Sequence, residues 1–120
     1  MEIKSSNKDS SQMLLNDAEA DSLIKILKFT LSELEEEYST RTGFDKFETE
    51  ALIKKINDTL GVNKMEMTNQ EILNLRQNLV EVLFGIDIRN FDVLFGASRP
   101  VVNSLFELID CYGKQHGTWA

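Results

Sequence analysis

One cysteine, one histidine, one proline and one tryptophan in 120 residues leave several kinds of chemistry without material. The single Cys111 excludes an internal disulfide, and its place in an apolar stretch between Asp110 and Tyr112 reads as a small core residue rather than a reactive thiol. The only histidine, His116, sits in the C-terminal tail. General acid–base, nucleophilic and zinc chemistry therefore lack candidates, and the six glycines build no phosphate loop. An enzyme is not expected, and neither is a cofactor or a bound metal. No apolar run approaches the roughly 20 residues of a membrane span. The opening MEIKSSNKDSSQ lacks the basic and apolar regions of a signal peptide, so a cytoplasmic location is expected. In that setting Asn57-Asp58-Thr59 has no meaning as a glycosylation acceptor.

What is present is a core and an acidic surface. At 13.7 kDa and 42% hydrophobic residues, the chain has enough apolar material for one domain without metals or disulfides. The stretch Leu79–Tyr112 is the most apolar third and contains no lysine. Leu-Phe-Gly occurs in it twice, at 83–85 and 94–96, and each glycine reads as a helix end. Pro100, the only proline, suits the first turn of a last helix carrying Val101, Val102, Leu105, Phe106, Leu108, Ile109 and Tyr112. Apolar on more than one face, that helix is expected to be central.

The rest of the chain reads as helices that cover this stretch. Residues 1–15 look flexible, with Met13, Leu14 and Leu15 able to dock on the core. Asn16 and Glu19 make a capping-box start for a helix whose stripe is Ala20, Leu23, Ile24, Leu27, Leu31, Leu34 and Tyr38. Gly43 ends it. Asp45 and Glu48 restart the chain as a second helix with Phe47, Ala51, Leu52, Ile56 and Leu60 inward, stopped at Gly61. Thr68-Asn69-Gln70-Glu71 is the clearest capping box, with Met67 and Ile72 as its hydrophobic staple, and starts a third helix at residue 69. A short helix over 87–95 and a last one from Ser98 or Arg99 to Gly113 complete the reading. The expected fold is all-α: a single-domain bundle of four to five helices over 16–113, an N-terminal antiparallel hairpin packed on the apolar C-terminal half, with 114–120 as a tail.

The net charge of −7 is uneven. Residues 1–60 hold 13 acidic and 8 basic residues, net −5, against net −2 for 61–120. Such a field repels phosphates and attracts basic proteins. The run Glu33, Glu35, Glu36 and Glu37 falls at a helix C-terminus, where the helix dipole favours cations, so it is poorly placed for helix stability. Together with Glu48 and Glu50 it marks a docking surface for a basic partner, and Trp119 is a candidate aromatic anchor.

Residues 85–102, GIDIRNFDVLFGASRPVV, offer a different reading. Two glycines eleven apart, Phe91, Phe95 and Val102 at the packing positions, and Ser98-Arg99 opening a second helix resemble the helix-turn-helix of phage-repressor-type regulators and of the antitoxins that share it. That resemblance implies a dimeric DNA-binding regulator using residues 85–106, with Arg99, Asn103 and Ser104 facing the major groove. The charge opposes it: 85–112 carries four acids and two bases. The expected function is thus protein binding, by an inhibitor or neutraliser of the size and acidity of immunity proteins, antitoxins and phage-encoded inhibitors, acting by steric occlusion and electrostatically steered association. A third reading is a homo-oligomer, such as a homodimer, with Ile26, Phe29 or the last helix at its interface.

Overall fold

A computed structural model describes residues 1–116, and its elements correct the all-α expectation. Helices predominate, but a three-stranded antiparallel sheet accompanies them. Strand β1 (Glu2–Ser5) and strand β2 (Ser10–Leu14) form a hairpin, and β3 (Lys64–Thr68) pairs with the other side of β2. The segment read as flexible thus supplies two strands. Side chains alternate across the sheet as the pleat requires. Ser11, Met13, Met65 and Met67 are buried on one face, while Glu2, Lys4, Lys64 and Glu66 meet solvent on the other.

Helix α1 (Asp17–Leu34) follows the sheet hairpin, opened by the Asn16–Glu19 capping box. Its buried residues include Ala20, Leu23, Ile24, Ile26, Leu27 and Leu34, so Ile26 lies in the core and not at an outer interface. Phe29 is also half-buried, edge-on to Phe95 at 5.3 Å. The helix does not run on to Gly43. Glu35 breaks it at φ 47°, Glu35–Glu37 form a 3₁₀ turn, and helix α2 (Tyr38–Thr42) ends on Gly43 at φ 84°. The break coincides with the glutamate run that the helix dipole disfavours.

Helix α3 (Lys46–Asn57) packs beside α1 and starts from the Asp45–Glu48 capping box. Its inward stripe is Thr49, Leu52 and Ile56; Leu52 and Ile56 are buried as expected, whereas Phe47, Ala51 and Leu60 are exposed. Helix α4 (Asn69–Val80) begins at the Thr68–Glu71 box directly after β3, and a π turn, Glu81–Gly85, extends it. Arg41 of α2 holds that turn by an ion pair with Glu81 and by donating to the Gly85 carbonyl at 3.2 Å.

Helix α5 (Phe91–Phe95) is short and ends on Gly96 at φ 67°; Gly85 adopts no such conformation. Helix α6 (Arg99–Gln115) has Pro100 in its first turn and buries one stripe, Val102, Leu105, Ile109 and Tyr112. It is amphipathic and lies at the surface, in place of the central helix expected from its composition. Cys111 is exposed, which corrects its assignment to the core.

One core joins Met13, Met65 and Met67 of the sheet to Leu23 and Leu27 of α1, Leu75 and Leu79 of α4, Phe95 of α5 and Ile109 of α6. Fully burying each such side chain stabilises the fold by about 1.5–3 kcal/mol. Within this apolar body, α2, α3 and α4 share a closed ring of hydrogen bonds. Asn74 donates to the Thr49 hydroxyl at 3.2 Å, which lies 2.6 Å from the Tyr38 hydroxyl; Tyr38 donates to Asn78 Oδ1 at 3.0 Å, and Asn78 donates back to Asn74 Oδ1 at 2.8 Å. All four residues are buried. Every polar group that the ring carries into the interior finds a partner there, which removes most of the desolvation cost.

Candidate protein-binding surfaces

The glutamates singled out in the sequence are all exposed. Glu33 stands in the last turn of α1, and Glu36 and Glu37 belong to the 3₁₀ turn that follows. Glu37 faces Arg41 one turn on, at 3.9 Å, a loose pair because that arginine already holds Glu81. Glu48 and Glu50 lie on opposite flanks of α3. Glu48 caps its own helix and borders a recess shared with Thr68, Gln70, Glu71 and Asn74, whereas Glu50 pairs with Lys46 at 3.6 Å.

On the Glu50 flank, Lys28, Leu31 and Ser32 of α1 face Lys46, Glu50 and Ile53 of α3 across a groove of about 370 Å³. Two lysines therefore interrupt the acidic surface there. The groove also fixes the relative direction of the helices, since the C-terminal half of α1 faces the N-terminal half of α3. Glu33, Glu36, Glu37, Glu48 and Glu50 consequently cluster at one end of the α1–α3 pair, the end crossed by the turn through Gly43. Phe47, 79% exposed, projects from the same end in the first turn of α3.

Phe47, like Ala51 and Leu60, stands outward where the sequence pattern predicts it inward. It was assigned inward because Phe47, Ala51 and Leu52 satisfy a helical stripe, but the buried stripe is set by Thr49, a polar residue that enters the hydrogen-bonded ring. No local signal marks Thr49 as inward, because its partners Tyr38 and Asn74 lie on other helices. Trp119 lies outside the described residues.

The three residues that a DNA-reading helix would use are engaged within the chain. Arg99 donates to the Leu83 carbonyl at 2.9 Å and stacks over Phe91, its guanidinium carbon 4.6 Å from the ring centre. Asn103 donates to Glu107 at 3.1 Å, and Ser104 returns a hydrogen bond to the Pro100 carbonyl at 3.1 Å. Arg99 ties the start of α6 to the π turn, a role that a free base-reading side chain does not have. Helix α5, which would precede the recognition helix, is five residues long.

Other apolar side chains reach solvent on the C-terminal half: Phe84 in the π turn, Val93 and Leu94 on α5, and Val101 on α6. Phe84 is not isolated, for it packs edge-on against Phe106 at 5.7 Å, and Arg76 lies over the other ring at 5.5 Å. No family model, curated protein or solved structure matches the chain. Among the described residues no helix is long and apolar enough to cross a membrane.

Proposed function

We propose that the chain is a protein-binding module, an inhibitor or neutraliser of a more basic partner, which it engages through the acidic end of the α1–α3 pair. The observation that supports this most is the exposure of Glu33, Glu36 and Glu37 together with that of Phe47, at the same end of the α1–α3 pair. An aromatic anchor with a charged rim is the composition of a binding hot spot, the ring supplying buried area and the charges raising the association rate. Occupation of the partner's basic surface is the mode of inhibition, and it asks nothing of this chain beyond a rigid acidic shape.

The test compares the wild-type chain with a Glu33→Lys, Glu36→Lys, Glu37→Lys triple variant and with Phe47→Ala, each immobilised as bait in lysate of the source cell at low and moderate salt. The expected result is one stoichiometric basic protein on the wild type, released as salt rises, absent from the triple variant and depleted on Phe47→Ala. Equal recovery on the triple variant, insensitive to salt, rejects the acidic end as the site. Recovery of duplex DNA without a protein partner rejects the inhibitor reading itself.

A further inference from the structure

The outer edge of β1 is unpaired among the described residues, and which backbone groups it presents follows from the ladder. Leu15 donates its N–H to the Asn63 carbonyl at 3.0 Å, so the odd-numbered residues of β2 bond toward β3. Ser6 donates to the Ser10 carbonyl at 3.2 Å, so the even-numbered residues of β2 bond toward β1. Glu2 and Lys4, opposite Leu14 and Gln12, therefore turn their backbone groups inward. Ile3 and Ser5 turn theirs outward, to the open edge.

The side chains are arranged to match. Glu2 and Lys4 are exposed on the solvent face, two residues apart, with Ile3 between them on the face that packs against the core. An antiparallel two-fold centred on Ile3 sets Glu2 of each chain opposite Lys4 of the other, in both halves of the contact. Ile3 then meets Ile3 as the hydrogen-bonded pair, using the N–H and C=O already aimed outward. Glu2 and Lys4 meet at the non-hydrogen-bonded positions, where opposing side chains come closest. The same edge borders a mixed groove of about 730 Å³, where Ile3 of β1 and Leu108 and Tyr112 of α6 alternate with the polar Ser104, Glu107 and Gln115.

From this the geometry points to a homodimer in which β1 pairs with β1 of a second copy, joining two three-stranded sheets into one of six strands beside that groove. Self-complementary charge selects the second copy as occupant: the strand is its own electrostatic partner about a two-fold axis. The opposite edge of the sheet, β3, also alternates charge with Lys64 and Glu66, but Glu66 is already held by the Ser6 hydroxyl at 3.0 Å. Nothing in this contact depends on the acidic end of the α1–α3 pair.

Sedimentation equilibrium on the full, untagged chain from micromolar to millimolar concentration tests the dimer. The apparent mass rises from 13.7 kDa toward twice that value. Lys4→Glu and Glu2→Lys each weaken self-association by about tenfold or more, since each turns two attractive pairs into two repulsive ones. The double variant Glu2→Lys, Lys4→Glu restores wild-type association, because the swap preserves the complementarity. Amide exchange gives an independent readout, with the Ile3 and Ser5 amides slowing as dimer forms. A chain that stays monomeric to millimolar concentration overturns the inference. So does a double variant that remains as weak as the single ones, or a Lys64→Glu variant that weakens association as strongly as Lys4→Glu.

Discussion

Helix α4 is held differently on its two flanks. Toward α1 and α6 it buries Leu75 and Leu79, apolar side chains without directional demands. Toward α2 and α3 it offers Asn74 and Asn78, each of which has a defined partner in the ring with Tyr38 and Thr49. Apolar burial supplies most of the free energy and accepts several arrangements of similar volume. The ring adds less, but it is satisfied in one register only, since a shift of α3 by one residue would leave several buried polar groups unpaired. One flank makes the helix stable and the other fixes where it sits.

Substitutions on the two flanks separate these contributions. Leu79→Ala, at a site with no solvent exposure, is expected to cost about 2–5 kcal/mol in chemical denaturation, the transfer term plus the cavity. Tyr38→Phe keeps the ring's volume and removes one hydroxyl, and the expected loss is about 1–2 kcal/mol. The sharper measurement is a double-mutant cycle of Tyr38→Phe with Asn74→Ala. Tyr38 and Asn74 both touch Thr49, so the two losses are expected to be less than additive; strict additivity would show that the ring does not act as a unit. Burial pushes the Tyr38 hydroxyl above its usual pKa of 10, more strongly than its hydrogen bonds with Thr49 and Asn78 lower it, so the ring stays intact through the neutral range.

The same contrast explains which parts of the fold could be read in advance. Capping boxes are local, with both partners three residues apart, and those at Asn16, Asp45 and Thr68 start α1, α3 and α4 as read. The strands carry no local mark of that kind. Each is four or five residues long, and β1 holds a single apolar residue, Ile3. Met67, at the staple position just before the Thr68 cap, also belongs to β3, because the strand runs directly into the helix. The sheet exists through long-range pairing, Ser11 with Met67 and Met13 with Met65, which no window of sequence displays. The acidic candidates were visible as a run of one residue type. Phe47 was not, because its exposure depends on Thr49 joining Tyr38 and Asn74, the latter twenty-five residues away.

Where α6 meets α4 outside the apolar core, Arg76 and Asp110 provide a charged counterpart to the neutral ring, and this contact yields the smallest effect. Arg76 Nε donates to Asp110 at 2.8 Å and Lys114 Nζ reaches the same carboxylate at 2.9 Å. Burial alone would raise the pKa of Asp110, but the hydrogen bonds and charges of Lys114 and Arg76 outweigh it and hold the group below its usual 3.8. A carboxylate whose folded pKa is depressed stabilises the fold fully above the unfolded value and loses that contribution as pH falls through the folded one. Asp110→Asn is therefore expected to cost about 1 kcal/mol near neutral pH, with the gap to wild type closing as pH drops below about 4. The Tyr38→Phe loss, made by a group that does not titrate there, persists across the same acid range. Of the two cations, Arg76 is the more buried, its side chain 23% exposed against 69% for Lys114, so Lys114→Ala should cost only a fraction of what Asp110→Asn does. A Lys114→Ala loss equal to that of Asp110→Asn would place the stabilisation on the solvent side of α6, and the pair with Arg76 would then add nothing to the seam between α4 and α6.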